Sequence, residues 1–322
     1  MVFLHPGQKR VVDEDFEKPA LLTGIPGSGK TCVLVHRARR MVALYPGERV
    51  LLLTLNKNLS KLIEQLVGKL CTKEESRMID VMSFHDYLAS MLKSIDLDHF
   101  LKQLGQYLNL EDAVNSLTST IAPAQLVDYL FKAREEEDLV DDFRDFLAGA
   151  EYSIKSSAYN LQIFIAGKDG AEDLDFYLYE ELELVRSAFE AYDDYKGYME
   201  YERHGRSIGF QEKRRTVVLN VLKAWEDYQI RNGFLDHMGL CQTALLAIED
   251  AEKIPDLFQY RCVLVDEFQD FSTLDFRILQ RIPKKQENGL FITGDFSQKL
   301  YAKELNLPKA KLGPKERTSR TI

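Results

Sequence analysis

The sequence of 322 residues has no apolar run that approaches the roughly 18 residues of a membrane-spanning helix, and its N-terminus turns polar too early for a secretory signal. Its four cysteines include no Cys-x-x-Cys pair and accompany no histidine cluster, which argues against a structural zinc site or a disulfide framework. Internal repeats and low-complexity tracts are also lacking. These absences argue against a membrane-spanning, fibrous or disulfide-stapled protein and predict a cytoplasmic chain with reduced thiols.

Positive charge is in short supply as well, since 42 Lys and Arg oppose 51 Asp and Glu, a net charge of −9. The acidity is concentrated in residues 91–234, where 16 basic residues face 28 acidic ones, while the rest of the chain has a net charge of +3. This balance argues against a protein that coats DNA through general basicity, but it permits an enzyme with a local basic groove. Arg203–Arg215 is the basic cluster within the acidic segment and a candidate DNA-facing patch.

Short apolar runs alternate with helical patterns at both ends of the chain. Five of these runs predict strands that are buried on both faces: Ala20–Thr23, Val50–Thr54, Met78–Met82, Cys262–Val265 and Leu290–Thr293. The segment Lys30–Leu44 predicts a helix that ends at the turn signal Tyr45-Pro46-Gly47. From Met91 to about Phe234 strand-like runs are few and helix formers are common. The pattern predicts an α/β fold with a parallel sheet, interrupted by a mostly helical insertion.

The segment between the first predicted strand and the first predicted helix matches G-x-x-x-x-G-K-[ST], the phosphate-binding loop pattern. The residues expected to line a bound nucleotide are Gly24, Ile25, Pro26, Gly27, Ser28, Gly29, Lys30, Thr31 and Cys32. Glycines let backbone N–H groups converge on phosphates, and the helix N-terminus adds a favourable dipole. We expect Lys30 to pair with the β- and γ-phosphates of ATP and the Thr31 hydroxyl to bind Mg²⁺.

A second nucleotide signature is the pair Asp266 and Glu267, which directly follows the apolar run Cys262–Val265. If that run is a strand of a parallel sheet, both carboxylates lie at its C-terminal edge, where ligands of open α/β sheets bind. We expect Asp266 to hold the metal and Glu267 to accept the proton of the attacking water. Two acids after a strand would by themselves indicate a helix N-cap, so the hydrolytic interpretation depends on the phosphate loop.

These motifs together resemble those of the UvrD/Rep-like superfamily 1 DNA helicases. Besides the phosphate loop, four elements occur in the family's order: Leu4–Val12, Ser83-Phe84-His85, Val265–Asp270 and Ile292–Tyr301. The resemblance implies a RecA-like ATP-binding motor domain made of residues 1–90 and 235–322, with the acidic helical insertion at 91–234. It also implies ATP-dependent helicase or translocase activity of 3′→5′ polarity on single-stranded or partly duplex DNA, with ATP and Mg²⁺ as cofactors.

The same resemblance implies roles for particular side chains in the nucleotide site. Gln8 is expected to read adenine, because a side-chain amide offers the donor and acceptor that complement N6 and N7. Gln298 is expected beside the γ-phosphate, where it would act in catalysis together with Lys30 and Glu267. Many relatives carry an arginine at the position of Cys32, next to the phosphate loop. Cys32 could alternatively be a small residue that serves only in packing.

Four positions are candidates for nucleic-acid contact by the same resemblance: Asn56, Phe84, His85 and Tyr301. Aromatic faces in such grooves stack on bases. Three of the candidates have a structural alternative that the sequence leaves open. Asn56 would serve equally as a helix cap, Phe84 as a core residue and His85 as a hydrogen-bonded structural histidine.

The end of the sequence, Arg317–Ile322, resembles the stretch that precedes a further motif of the family. We therefore expect a fragment that hydrolyses ATP slowly, because a second RecA-like domain would supply the arginines that stabilise phosphoryl transfer. The alternative function is a P-loop nucleotide-binding scaffold whose acidic insertion recruits a protein in a defence or repair assembly. The acidic insertion has its own alternative, a solvated surface with no partner.

Overall fold

The computed structural model of the protein describes residues 4–131, 136–168, 173–189, 195–203, 206–249, 255–285, 287–295 and 317–322. The chain divides into two compact units. The first unit contains the described residues up to Met91 and those from 255 onward, and the second unit begins at Leu92 and extends through Glu249.

The regular elements alternate between strands and helices in the first unit. The strands are β1 (Ala20–Thr23), β2 (Val50–Thr54), β3 (Ile79–Ser83), β4 (Cys262–Val265), β5 (Leu290–Gly294) and β6 (Thr318–Thr321). The helices along the whole chain are α1 (Pro6–Asp13), α2 (Lys30–Leu44), α3 (Lys57–Leu70), α4 (Lys73–Ser76), α5 (Phe84–Lys93), α6 (Leu97–Leu108), α7 (Glu111–Thr120), α8 (Pro123–Leu130), α9 (Glu136–Gly149), α10 (Tyr152–Ala166), α11 (Leu174–Ala188), α12 (Glu212–Arg231), α13 (His237–Glu249) and α14 (Thr273–Leu279). Short 3₁₀ turns occur at Lys196–Glu200, Asp256–Phe258 and Phe268–Asp270.

The six strands form one parallel sheet in the order β3-β2-β4-β5-β1-β6, which confirms the predicted α/β fold. The predicted bounds of β1, β2, β4 and α2 are confirmed, while β3 lies one residue later than predicted and β5 includes one more residue, Gly294. The edge strand β6 was not predicted from sequence. Its residues, Thr-Ser-Arg-Thr, have no apolar pattern, and it pairs with β1 alone.

The core of the first unit lies between one face of the sheet and the helices α1, α2 and α3. Alternate strand residues point to this face, including Leu22 of β1, Leu52 of β2 and Leu264 of β4, all of them buried. They pack against the buried side of α2, where Val33 and Leu34 have no exposed surface. Because α2 is held to the sheet along its length, the loop that precedes it has a defined position over the C-terminal ends of the strands.

Arg37 of α2 is a buried cation that fastens the N-terminal helix to the sheet. Its guanidinium lies between two aromatic rings, 4.6 Å from the centroid of Phe16 and 4.7 Å from that of Phe291. It donates hydrogen bonds to three backbone carbonyls and one side-chain amide: those of Val11, Val12, Glu14 and Asn288. Burial lowers the pKa of Arg37 to about 10, which leaves the side chain charged at neutral pH.

Regular structure in the described part of the second unit is helical throughout, α6 to α13 with one 3₁₀ turn. Its centre is Trp225 of α12, which is fully buried and stacks on Tyr228 at 5.6 Å between ring centroids. Phe143 of α9 meets the same indole edge-on. The unit continues past the predicted return at residue 235 because α13 packs against α6. None of the helices among the described residues is long and apolar enough to cross a membrane.

A network of buried charges holds α11, α12 and the start of α13 together. Arg186 donates two hydrogen bonds to the carboxylate of Asp236, and its Nε lies 3.4 Å from an oxygen of Glu226. Tyr195 donates to Glu226 at 2.5 Å. Burial raises the pKa of Glu226 to about 7, although the charge of Arg186 opposes that shift.

We expect Arg37→Met to lower the free energy of unfolding of the first unit by roughly 3 kcal/mol, because the substitution leaves several buried acceptors without a donor. The matched control on the same helix is Arg40→Met, since the ion pair of Arg40 with Asp15 is half-exposed and contributes less than about 1 kcal/mol. Urea denaturation, combined with hydrogen exchange of the β1 and β5 amides, measures the two effects. Equal losses in the two variants would contradict the anchoring role of Arg37.

The raised pKa of Glu226 predicts a pH-dependent stability of the second unit. The folded-state pKa of about 7 lies above the ordinary value of 4.5, so the folded protein holds this proton more tightly than the unfolded chain does. The contribution of Glu226 to stability therefore falls as the pH rises from about 4.5 to about 7. Glu226→Gln stays neutral, and its stability relative to the natural protein should rise across that window by up to about 3 kcal/mol.

Thermal unfolding at several pH values measures this difference. Glu183→Gln is the matched control, because Glu183 also pairs with Arg186 but its side chain is 17% exposed. Stability curves of the natural protein and Glu226→Gln that run parallel from pH 4 to 8 would show that Glu226 ionises at its ordinary pH.

Candidate nucleotide-binding site

The phosphate-loop sequence forms a turn between the end of β1 and the start of α2. Gly27 and Gly29 adopt φ angles of +77° and +84°, a left-handed conformation that favours glycine. Gly29 is the N-cap residue of α2 and offers no side chain to cap the helix. The first N–H groups of α2 are therefore directed at the loop as donors for an anion, and the helix dipole adds to the attraction.

The loop is closely packed around its own backbone. A Cβ atom on Gly24 would lie 2.5 Å from the Ser28 hydroxyl, and one on Gly29 would lie 2.6 Å from the Gln8 side-chain nitrogen. The Ser28 hydroxyl is buried and has no hydrogen-bond partner among the described residues. A buried polar atom without a partner is costly, so this hydroxyl fits a site that a ligand with oxygen acceptors would complete.

Lys30 extends under the loop, with 7% of the residue exposed. Its ammonium donates to the carbonyls of Gly24 at 2.9 Å and Ile25 at 3.2 Å. A largely desolvated ammonium interacts with a nearby anion more strongly than an exposed one would. The structure thus places a positive charge inside the turn expected to surround the phosphates.

Gln8 connects α1 to the loop. Its side-chain nitrogen donates to the carbonyl of Ser28 at 2.7 Å, and its oxygen accepts from the backbone N–H of His5 at 2.8 Å. The second bond is half of a capping box that begins α1. Gln8 is therefore adjacent to the phosphate loop, and its expected reading of adenine stays a prediction.

Asp266 is the point at which three separate parts of the sequence meet. It directly follows β4 and is fully buried. One carboxylate oxygen accepts from the Thr31 hydroxyl at 2.6 Å, and the other accepts from the Thr293 hydroxyl of β5, also at 2.6 Å. The backbone N–H of Glu267 donates to that second oxygen at 3.1 Å. The sheet order explains the meeting, because β5 lies between β4 and β1.

The pKa of Asp266 is raised above its usual 3.8, chiefly because burial penalises the charged form. The hydrogen bonds from Thr293 and Thr31 act in the opposite direction, and the negative charge of Glu267 adds to the rise. A nearby divalent cation would favour the charged carboxylate. The electrostatics of the site therefore suit a metal ion.

Glu267 is the N-cap residue of the 3₁₀ turn Phe268–Asp270 and has a φ angle of +52°, which is uncommon for a residue other than glycine. The side chain is half-buried, and one carboxylate oxygen accepts from the side-chain nitrogen of Gln269 at 2.6 Å. Non-glycine residues in this conformation often occur at functional sites, where the surroundings hold the strain.

The chain's own residues fit Mg²⁺·ATP. A hydroxyl and a carboxylate, from Thr31 and Asp266, are oxygen ligands of the kind that Mg²⁺ prefers. The loop supplies backbone donors, the unpartnered Ser28 hydroxyl and the Lys30 charge for the phosphates. Cys32 lies half-buried in the first turn of α2, behind these groups. These residues are the ones that would hold the nucleotide and its metal.

The candidates for nucleic-acid contact have mixed outcomes. Asn56 is the N-cap of α3 and accepts from the N–H groups of Asn58 and Leu59, so its structural alternative is observed. Phe84 also adopts its structural alternative, because its ring is fully buried, 5.4 Å from that of Phe271. His85 lies half-buried in the first turn of α5.

Two predicted functional residues, Gln298 and Tyr301, lie outside the described residues. Their expected roles beside the γ-phosphate and in the nucleic-acid groove stay predictions.

In the described part of the basic cluster Arg203–Arg215, the candidate DNA-facing patch, the arginines make internal contacts. Arg203 is buried and donates to the carboxylate of Glu181, and Arg206 pairs with Glu180 at 2.9 Å. The guanidinium of Arg214 covers the ring of Phe164. Arg203 and Arg206 thus neutralise acids within the second unit, and Arg214 packs against an aromatic ring.

Thr293 and Gln269 are site residues that the sequence analysis did not single out. Gln269 is only two residues from Glu267, whose carboxylate it contacts. Nothing in the linear sequence shows that Thr293 reaches Asp266 or that Gln269 reaches the backbone of Asp295. The register that pairs Val265 with Ile292 brings the end of β5 beside the end of β4 and creates these two contacts. The family motifs around both residues were the available signal.

The parallel sheet, the glycine turn before α2 and the acidic pair after β4 define a P-loop nucleotide-binding fold. The family model for the UvrD/REP helicase N-terminal domain matches residues 4–303. The chain therefore belongs to the UvrD/REP helicase family, which confirms the resemblance found in the sequence.

Relatives in this family share limited identity with the chain. It is 22% identical over 192 residues to an ATP-dependent helicase/nuclease subunit of Lactobacillus helveticus, covering 55% of this chain and 15% of that protein. It is 33% identical over 100 residues to the corresponding protein of Latilactobacillus sakei, covering 30% and 11% of the two chains. It is 32% identical over 89 residues to a probable DNA helicase II homolog of Mycoplasma genitalium, covering 27% and 12%. The matched part is thus a small fraction of each relative.

We expect Thr293→Val to destabilise the first unit by about 1–3 kcal/mol at pH 7, because a buried carboxylate loses a hydrogen-bond donor. The loss also moves the pKa of Asp266 further upward. A carboxyl pKa that is higher in the folded state lowers stability as the pH rises through it, so the deficit of the variant should grow with pH.

Denaturation at pH 4 and pH 7 measures this trend. Thr54→Val is the matched control, since Thr54 ends the neighbouring strand β2 and is equally buried. Within the described part of the chain, its hydroxyl makes only a long 3.4 Å contact with the N–H of Asn56. A deficit that is the same at both pH values, or as large for Thr54→Val, would count against the role of Thr293 at the carboxylate.

Proposed function

We propose that the protein is an ATP-dependent DNA helicase or translocase. In this proposal the phosphate loop, Asp266 and Glu267 bind Mg²⁺·ATP and hydrolyse the ATP, and the hydrolysis is coupled to movement along single-stranded DNA. Membership in the UvrD/REP helicase family supports DNA as the substrate, and the resemblance of the motifs supports movement with 3′→5′ polarity. The relatives' names describe a probable DNA helicase and a subunit of an ATP-dependent helicase/nuclease, which agrees with this proposal.

The observation that carries the proposal is the 2.6 Å hydrogen bond between Thr31 and Asp266. These residues lie 235 positions apart in the chain, one in the phosphate loop and one after β4. Each has a motif-based role as a metal ligand, and the two roles require that the oxygen atoms meet. Their contact at the sheet edge is the arrangement that one bound Mg²⁺·ATP would need.

The chemistry assigned to the chain's residues follows from their positions. Lys30 and the first N–H groups of α2 bind and orient the phosphates, which accounts for much of phosphoryl-transfer catalysis. Glu267 accepts the proton of the attacking water. Mg²⁺, when bound, neutralises phosphate charge. Thr31 and Asp266 would hold the ion, and Thr293 fixes the Asp266 carboxylate through its second oxygen.

A nucleotide-binding scaffold is the second candidate, and one observation favours it. The helix α10 exposes a row of large side chains at the spacing of a single helix face: Tyr152 is 86% exposed, Tyr159 62% and Ile163 52%. Exposed apolar rows of this kind occur at protein interfaces. The surplus of acidic residues in 91–234 would favour a basic protein partner over DNA.

Lys30→Ala distinguishes the two candidates. We expect this variant of the intact protein to lose at least about a hundredfold in ATP hydrolysis and to lose strand separation, because the phosphates lose their positive charge. In a scaffold, partner binding would survive the substitution. Lys73→Ala, on the exposed surface of α4, is the matched control and should retain full activity.

Steady-state ATP hydrolysis and a strand-displacement assay give the readouts, and circular dichroism checks that Lys30→Ala folds. ATP hydrolysis by Lys30→Ala at the rate of the natural protein would contradict the proposal.

A further inference from the structure

Gln269 belongs to the acidic motif after β4, and its side chain links the ends of two strands. It belongs to the 3₁₀ turn after β4 and is half-buried. Its side-chain nitrogen donates to a carboxylate oxygen of Glu267 at 2.6 Å, and its side-chain oxygen accepts from the backbone N–H of Asp295 at 3.1 Å. Asp295 directly follows β5, so one amide links the proposed catalytic base to the neighbouring strand end.

The two contacts determine the orientation of this amide. The backbone N–H of Asp295 can only donate, so it faces the Gln269 oxygen and leaves the Gln269 nitrogen to donate to the carboxylate of Glu267. A side chain in this position needs a donor and an acceptor at the length of glutamine. Glutamate would lose the donor, and leucine would lose both groups.

Gly294, the last residue of β5, leaves the space that Gln269 occupies. A Cβ atom at Gly294 would overlap the side-chain oxygen of Gln269 and the ring of Phe268. The absence of a side chain at this strand position therefore permits the amide to lie across the sheet edge. A second, independent substitution can thus disturb the same contact from the other strand.

The backbone conformation of Glu267 also bears on its hydrogen bond with Gln269. Its φ angle of +52° lies in the left-handed region, which is uncommon for a residue other than glycine. The hydrogen bond from the Gln269 nitrogen fixes the direction of the carboxylate that this backbone carries. The bond arises inside the turn, while the link to Asp295 ties the turn to β5.

We propose that Gln269 is a positioning residue that holds the carboxylate of Glu267 in place for proton abstraction and transmits the position of the β5 end to it. This inference rests on the proposed ATP hydrolysis. The two hydrogen bonds of the Gln269 side chain reach neither the phosphate loop nor Asp266, so it acts through Glu267. It is expected to affect the rate of the chemical step and to leave nucleotide binding intact.

Steady-state ATP hydrolysis by the intact protein tests the inference with three variants: Gln269→Leu, Gln269→Glu and Gly294→Ala. Each should lower kcat by roughly tenfold to a hundredfold, the range that a displaced catalytic group produces. The KM for ATP and the affinity for a fluorescent ATP analogue should stay within about twofold of the natural protein. Gly68→Ala is the control for the glycine substitution, since a Cβ at Gly68 of α3 meets open space.

A kcat within twofold of the natural value in Gln269→Leu and Gln269→Glu would overturn the inference. So would a fall in nucleotide affinity equal to the fall in kcat, because that result indicates a general structural role. Lys30→Ala, measured in the same assay, separates a failure of the positioning role from a failure of the proposed function. If the natural protein hydrolyses ATP and Lys30→Ala does not, an unaffected Gln269→Leu removes only the positioning role. If Lys30→Ala retains full hydrolysis, the proposed function itself fails.

Discussion

A buried carboxylate, that of Asp266, is the constraint on which the nucleotide site depends. A carboxylate that is shielded from water needs hydrogen-bond donors to both of its oxygens. The fold supplies these donors from the phosphate loop, from β5 and from the adjacent backbone. Each donor belongs to a different segment, so the carboxylate holds the ends of these segments in one place. The parallel sheet makes this possible because the carboxyl ends of all its strands lie at the same edge.

Other buried charged groups in the two units also have hydrogen-bond partners from more than one element. In the first unit, Arg37 is buried between aromatic rings and satisfied by carbonyls at the end of α1, which fixes the helix that carries Gln8. In the second unit, Arg186 and Asp236 form a buried pair among helices. Buried charges of this kind are weak contributors to net stability but costly to break, and they favour one arrangement of the elements over others.

The charge distribution of the insertion has a structural explanation in part. Two of its arginines, Arg203 and Arg206, contribute little to the surface, because they pair with acids of α11. A count of charges along the sequence therefore overstates the basic surface of this segment. The exposed row on α10 is apolar and aromatic, a different kind of surface from the basic groove that DNA would require.

Much of the fold was determined by local sequence. The apolar runs of β1, β2 and β4 and the glycine pattern before Lys30 depend on near neighbours, so their elements and the chemistry of the loop could be predicted. Tertiary structure decided which side chains meet. Phe84 was assigned to the core, β6 was added to the sheet without an apolar pattern, Thr293 reached the carboxylate of Asp266, and Gln269 reached the backbone of Asp295. Those outcomes depend on strand order and register, which join residues that are not neighbours in the chain and leave no periodic trace in the linear sequence.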